Sequence, residues 1–230
     1  MPLYALILTA CAGPKSADDS VAHAATVADE LTALATNCIP VAGTSEFATD
    51  EGRDPTIPVC QLSGAVAWTA DMDVDCDGAE TTKCNATTDP TWSNDTSILA
   101  SDDSKIDASM VPYVVVPLAS GMDGCTSDTG FDYRAAGIGL GAVAVVIYQQ
   151  QIQYGAFVDE GPCTIIGEAS YAMNARLGFN PDPANGGHEE SDVTYIVFTG
   201  TDAVAAKVED VAGVETLGYQ LVEERFGIVN

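Results

Sequence analysis

The sequence predicts a mainly β protein that forms a single β-barrel domain with peripheral helices. Short runs rich in β-branched and aromatic residues recur along the chain, turn-forming residues separate them, and the two clear helical patterns lie near its ends. With 230 residues, 47% of them hydrophobic, the chain is long enough for one substantial core and too short for several large domains. We therefore expect residues 22–230 to form one domain.

Two segments show the period of an amphipathic helix. In the first, apolar residues recur every three or four positions from Val21 to Leu34. In the second, which spans residues 214–227, Val214 and Leu221 share one face although Gly218 lies between them. We expect both helices to pack on the outside of the barrel, with room for one more in the middle of the chain.

The strand candidates are short and lie between turn-rich stretches. In chain order they are 64–74, 113–117, 142–148, 152–158, 164–166 and 193–199. No internal repeat occurs, so one barrel is the simplest arrangement of these runs.

The charge balance restricts the partners. The chain has 8 Lys and Arg against 34 Asp and Glu, a formal net charge of −26. A field of this sign repels phosphate backbones and anionic lipids, which excludes nucleic acid and membrane surfaces, and it attracts small cations or a polycationic substrate. The alternative is an acidic surface that serves only solubility in a salty habitat.

The N-terminus is predicted to be an export signal. Residues 1–11 form an apolar stretch too short to span a bilayer, and the run from Leu8 to Cys11 resembles the lipobox of bacterial lipoproteins. Cys11 would then carry the lipid, and residues 12–21 would form a tether. This predicts an extracellular or cell-surface lipoprotein, with the outer membrane as one location. The alternative is a plain cleaved signal.

The remaining cysteines number six, an even set in an exported chain: Cys38, Cys60, Cys76, Cys84, Cys125 and Cys163. They predict three disulfides, and of the fifteen possible connectivities we select only the local pair Cys76–Cys84. Since no C-x-x-C motif and only two histidines are present, we expect no structural zinc and no cofactor.

The first acidic cluster is "DMDVDCDG", in which Asp71, Asp73, Asp75 and Asp77 alternate with other residues. In a strand they would share one face, where they must be exposed, bind a cation or face a cationic ligand. The spacing from Asp73 fits the start of an EF-hand loop, but its twelfth position is Cys84 instead of glutamate. We therefore predict no metal ligands, with calcium as the alternative.

The second acidic cluster is "FVDEGPCTIIGEAS". Asp159 and Glu168 are nine positions apart, which on a helix would place them on opposite faces. Gly161 and Pro162 favour a turn and 164–166 a return strand, so the chain would fold back and bring both carboxylates to one cleft. Two carboxylates around a cleft are what glycoside hydrolysis requires.

Four segments together carry a family resemblance. In order, "ADMDVDCDG", "VPYVVVP", "YGAFVDEGPCTIIGEAS" and "DVTYIVFTG" resemble the chitosanases of glycoside hydrolase family 75, best known from filamentous fungi. The resemblance spans about residues 22–226. It implies endo-hydrolysis of the β-1,4 linkages of chitosan with inversion at the anomeric carbon, in a barrel of the double-psi type.

The resemblance also implies that the acidic pair is catalytic. Asp159 and Glu168 correspond to the essential carboxylates of the family, while Val158 stands where glycine is usual and Glu160 where threonine is common. Glu168 follows an apolar run, so we expect it to be the general acid. Asp159, on a more polar turn, would be the base; the reverse assignment stays open.

The substrate of such an enzyme would be chitosan, a cationic polysaccharide, bound by a monomer. The expected substrate-binding residues are Asp71, Asp73, Asp75, Tyr154 and Glu160, with Tyr171 and Trp68 as further rings on which a sugar could stack. The alternative function is a catalytically inactive surface lipoprotein that binds carbohydrate or calcium.

Overall fold

The computed structural model describes residues 17–229, except 123 and 126–128, and it describes side chains from residue 22 onward. The helices are α1 (Ala17–Thr36), α2 (Tyr171–Leu177) and α3 (Val211–Phe226), and one 3₁₀ turn spans Thr201–Ala203. The strands are β1 (Ile39–Pro40), β2 (Cys60–Leu62), β3 (Ala65–Asp75), β4 (Tyr113–Pro117), β5 (Val143–Tyr148), β6 (Gln151–Gly161), β7 (Glu168–Ser170) and β8 (His188–Phe198).

Six strands close into a barrel. The sheet order is β1-β2-β3-β7-β4-β6-β5-β8, and an additional pairing between β3 and β8 joins the two sides. The pairs β3–β7 and β4–β6 are parallel, and the other pairs in the barrel are antiparallel. The predicted β-barrel with peripheral helices is thus confirmed.

Alternation along β3 builds two parts of the core. Trp68, Ala70 and Met72 belong to the core inside the barrel, whereas Ala65 and Ala67 pack in a second core with residues of α1 and α3. Successive side chains of a strand point to opposite faces. The aspartates at odd positions further along β3 therefore project away from the barrel interior.

Helix α3 contains a glycine because it lies very close to β6. A Cβ at Gly218 would lie 2.1 Å from Cδ1 of Tyr154, a distance that real Cβ atoms do not reach. The glycine lowers helix propensity by about 1 kcal/mol relative to alanine, but it allows the helix to pack directly on the tyrosine ring.

Three disulfides link the loops to this frame: Cys38–Cys60, Cys76–Cys84 and Cys125–Cys163. The predicted number and the local pair Cys76–Cys84 are confirmed. Disulfides persist in oxidising environments, so they indicate an exported protein. Of the helices in the described residues, none has both the length and the apolar character that a membrane span requires.

The structure corrects one predicted strand. Residues 164–166 form a turn in which Ile165 makes a single bridge to Ala48, and the return strand is β7, two residues later. Pro162 has no N–H for a strand ladder, and β6 itself continues through Gly161.

The N-terminal predictions lie mostly outside the described residues. Helix α1 begins at Ala17, so the last five residues of the expected tether are helical. The signal segment 1–11, with Cys11, and residues 12–16 are not described.

Candidate active site

An acidic cavity of about 510 Å³ opens where β3, β7, β4 and β6 run side by side, and residues of these strands and of the nearby loops line it. Neither lysine nor arginine occurs among its lining residues. Its acidic lining residues are Asp50, Glu51, Asp73, Asp75, Asp77, Asp89, Asp159, Glu160 and Glu168. The cavity therefore suits a cationic ligand.

Strand β4 brings the two predicted catalytic carboxylates to this cavity. On one side of β4, Asp159 of β6 lies opposite Val115 in a parallel pairing. On the other side, Ala169 of β7 lies opposite Val114 in an antiparallel pairing, and Glu168 precedes it. The residues thus flank one short strand, although nine positions separate them in sequence.

A β-bulge sets the direction of Asp159. Phe157 lies opposite Val114, but Asp159 lies opposite Val115, so Val158 is an extra residue in the ladder. Phe157 belongs to the barrel interior, and strict alternation would send the residue two positions later to the same side. A bulge redirects the strand locally, and this one lets Asp159 line the cavity.

Asp159 is buried and held by donors. It is 8% exposed, and its Oδ1 accepts hydrogen bonds from Ser97 N (2.8 Å), Ser97 Oγ (2.7 Å) and Glu160 N (3.0 Å). Burial raises the pKa of Asp159, and the bonds from Ser97 oppose this rise by stabilising the carboxylate. The expectation that Asp159 lies on a polar turn is wrong, because it lies within β6.

The pKa of Glu168 is also raised. Burial and the charges of Asp73 and Asp159 raise its pKa to about 8, so its carboxyl group is mostly neutral at pH 7. Asp73 is its partner in the parallel pairing of β3 with β7. On the cavity side, a Cβ at Gly161 would lie 3.5 Å from Glu168 Oε2, so the end of β6 passes close to this carboxyl group.

Asp75 and Asp77 adjoin the pair. One carboxylate oxygen from each of Asp75, Asp77 and Asp159 lies within 4.8 Å of the other two. Burial, together with the charges of Glu168 and Asp159, raises the pKa of Asp75 well above its ordinary value. The pKa of Asp77 rises to about 6, mainly through burial. Asp75 is thus electrostatically coupled to both members of the pair.

Glu160 also faces the cavity. Its Oε1 accepts a hydrogen bond of 2.7 Å from the hydroxyl group of Tyr133. The charge of Glu160 raises the pKa of Asp159, but burial raises it more. The carboxylate beside the expected base is therefore held by a tyrosine, and it contributes less than burial to the raised pKa of that base.

The structure does not bring the predicted aromatic residues to the cavity. Tyr154 is 4% exposed and packs under α3, with its ring centroid 4.7 Å from that of Tyr219. Trp68 lies inside the barrel, stacked on Tyr195. Tyr171 lines a neighbouring depression, where Lys83 Nζ is 4.9 Å from its ring centroid. Tyr154 is therefore a core residue and does not line the cavity.

The four aspartates of the first acidic cluster divide into two groups. Asp73, Asp75 and Asp77 line the cavity, whereas Asp71 is buried behind it. Sequence reasoning missed Ser97 and Tyr133, which are 62 and 27 positions from their acidic partners. No local pattern marks either residue, because each reaches the site from a loop distant in sequence.

The arrangement can carry out acid–base chemistry on a bond held in the cavity. Glu168 holds a proton at neutral pH, whereas the hydrogen bonds from Ser97 oppose the rise that burial causes in the pKa of Asp159. A neutral carboxyl group and an ionised carboxylate along one cleft are the two groups that cleavage of a glycosidic bond uses.

Comparisons with known proteins agree with this geometry. Residues 72–223 match a family described as fungal chitosanase of glycosyl hydrolase group 75. The chain is 38% identical over 149 residues to an endo-chitosanase of Aspergillus oryzae, a match that covers 61% of the chain and 58% of that protein. It is 32% identical over 192 residues to endo-chitosanase C of the same species, covering 74% of the chain and 46% of that protein. The chain thus spans about half the length of the curated relatives it matches.

Proposed function

Since the chain belongs to glycosyl hydrolase group 75, the family of fungal chitosanases, we propose that it is an endo-chitosanase that hydrolyses β-1,4 linkages between glucosamine units. One observation carries the proposal. Asp159 and Glu168 flank β4 in one acidic cavity, where Glu168 is mostly protonated at pH 7 and donors from Ser97 stabilise the carboxylate of Asp159.

The proposed mechanism uses the two carboxyl groups in turn. Glu168, neutral at pH 7, donates its proton to the glycosidic oxygen, while Asp159 removes a proton from water that attacks the anomeric carbon. The hydrogen bonds from Ser97 stabilise the ionised form of Asp159. Attack from the face opposite the leaving group inverts the anomeric carbon.

The acidic lining explains the proposed choice of substrate. Glucosamine units carry ammonium groups, and Asp73, Asp75, Asp77 and Glu160 place carboxylates along the cavity. Attraction between these charges favours chitosan over neutral polysaccharides of the same linkage. The inactive alternative is not favoured, because both carboxylates of the pair are present at the cavity.

Export of the protein agrees with its three disulfides. The lipid at Cys11, the outer-membrane location and the monomeric state remain predictions from the sequence.

Substitution of the pair tests the proposal. Asp159→Asn and Glu168→Gln should each lower turnover on fully deacetylated chitosan at least about a hundredfold, the usual effect of losing a general acid or base. The amides keep the shape of the side chains but cannot transfer the proton, so the melting temperature should change little. Reducing-sugar release and thermal unfolding measure the two effects.

The matched control is Glu160→Gln, which removes a neighbouring charge from the same cavity and should retain most of the turnover. Carboxymethyl-cellulose should not be cleaved. If Glu168→Gln keeps most of its activity, the assignment of the pair is wrong.

The stereochemistry is a separate test. Proton NMR of the products should show the α-anomer first, because inversion at the anomeric carbon of a β-linked sugar yields the α configuration. Early appearance of the β-anomer would contradict inversion while leaving chitosan hydrolysis intact.

A further inference from the structure

We propose that Asp50, Asp71 and Asp73, here called the Asp71 cluster, bind one calcium ion at the edge of the cavity, which Asp50 and Asp73 line, without using either carboxylate of the Asp159–Glu168 pair. One carboxylate oxygen from each residue lies within 4.8 Å of the other two. Calcium takes oxygen ligands at about 2.3–2.6 Å, so ligands on opposite sides of the ion lie up to about 5 Å apart. The spacing of the cluster therefore accommodates one calcium ion between the three carboxylates.

Asp71 supplies the second and independent observation. It is 3% exposed, and its Oδ1 is fully buried with no hydrogen-bond partner among the described residues. The hydroxyl group of Tyr195 donates to the backbone carbonyl of Asp71, not to its carboxylate. A buried carboxylate oxygen without a donor is costly, and a metal ion is one partner that compensates it.

The neighbouring acidic cluster, Asp75, Asp77 and Asp159, contains no such unpaired carboxylate oxygen among the hydrogen bonds of the described residues. Asp75 Oδ1 accepts a hydrogen bond from Asp77 N (2.7 Å), Asp77 Oδ1 accepts one from Ser93 N (2.6 Å), and Asp159 Oδ1 accepts those from Ser97. Backbone and hydroxyl donors thus already hold these three carboxylates. The difference in hydrogen bonding selects the Asp71 cluster as the cation site.

Asp50 offers the route by which the ion and its water ligands reach the site. Its side chain is 41% exposed. Arg53 Nε, at 3.5 Å, and Thr49 Oγ1, at 3.3 Å, both contact Oδ2 of Asp50, so Oδ1 can face the cluster. Calcium takes six to eight oxygen ligands and accepts water among them.

The ion would join three segments that meet in front of Glu168. Asp73 N donates a hydrogen bond of 2.7 Å to Gly167 O, and a Cβ at Gly167 would lie 2.1 Å from Asp71 Oδ1. Ile166 N also donates to Ala48 O, 3.0 Å away, so the segment that leads to Asp50 contacts the same turn. Calcium would hold this segment, β3 and the turn before Glu168 together.

Calorimetry and thermal unfolding of the full chain, first stripped with EDTA, test the proposal. Calcium chloride should bind at one site per chain with a dissociation constant of roughly 10⁻⁴ M, as in extracellular calcium modules. At 10 mM calcium the melting temperature should rise by roughly 5 °C over sodium chloride of equal ionic strength. Asp71→Asn should weaken binding at least about tenfold and remove the rise.

The controls separate this site from a general effect of charge. Asp77→Asn makes the same charge change in the neighbouring cluster and should keep the rise. If Asp71→Asn does not fold, Asp50→Asn removes an exposed ligand and should also lose the rise. Three outcomes would overturn the proposal. The melting temperature could rise equally with sodium, or its rise with calcium could persist in both variants. It could also rise with glucosamine but not with calcium, in a way that depends on Asp71. None of these readouts depends on chitosan hydrolysis.

Discussion

At the scale of single residues, the site depends on donors that stabilise one carboxylate inside a field of negative charge. Ser97 provides two of the three hydrogen bonds to Asp159 Oδ1. Burial pushes the pKa of Asp159 upward, and the side-chain bond from Ser97 is the largest opposing cause. Ser97 therefore acts as a positioning residue for the proposed base.

Ser97→Ala should move the acidic limb of the pH profile of kcat/KM to higher pH. The variant loses the hydroxyl donor that lowers the pKa of Asp159, so the base becomes protonated at a higher pH than before. The alkaline limb, which reflects loss of the proton from Glu168 near pH 8, should move little. Initial rates on chitosan oligomers between pH 3 and about 9 measure both limbs.

Ser93→Ala is the matched control. Ser93 holds Asp77 through its backbone N–H, which the variant keeps, so neither limb should move. A profile for Ser97→Ala that coincides with that of the unmodified protein would show that Ser97 does not tune the base.

At the scale of the elements, close approach of α3 to β6 explains a residue that helix propensity disfavours. Gly218 lies against the ring of Tyr154, which places that tyrosine in the core and away from the cavity. Leu221 and Val214 of the same helix are buried in this core as their spacing predicts.

Gly218→Ala should lower the melting temperature. Alanine improves helix propensity by about 1 kcal/mol, but its Cβ would clash with the Tyr154 ring, and overpacking of a core costs about 1–3 kcal/mol. The net effect should therefore be a loss of stability and a lower melting temperature, measured by thermal unfolding.

Thr216→Ala, on the exposed side of the same helix, has the propensity gain without the clash and should not destabilise the protein. A more stable Gly218→Ala variant would show that the helix can move away from β6 at little cost.

At the scale of the whole molecule, the net charge of −26 acts on encounter with a cationic polymer. Added salt screens these charges beyond about 8–10 Å at 0.1–0.15 M. We expect potassium chloride to raise the KM for chitosan more than it lowers kcat, because the charge contributes mainly to binding. Sucrose at equal osmolality is the control and should leave KM unchanged. A KM that does not respond to salt would mean that the acidity serves only solubility.

Prediction from sequence succeeded where the information was local. The alternation of aspartates in "DMDVDCDG" identified residues of which three line the cavity, and the spacing of cysteines identified the pair Cys76–Cys84. It failed for Tyr154, which packs in the core with residues of α1 and α3. The sequence pattern of a strand does not show whether a helix or solvent covers one of its aromatic residues.

The sequence by itself determined the class of fold, the number of disulfides with the one pair Cys76–Cys84, and the two acidic segments, because these follow from period, composition and short motifs. The tertiary structure alone decided that a bulge at Val158 places Asp159 beside Val115, that Ser97 holds this carboxylate, and that Asp71 is buried apart from the cavity. The physical reason is that pKa values and directions of side chains depend on neighbours from distant strands and loops, which strand register brings together.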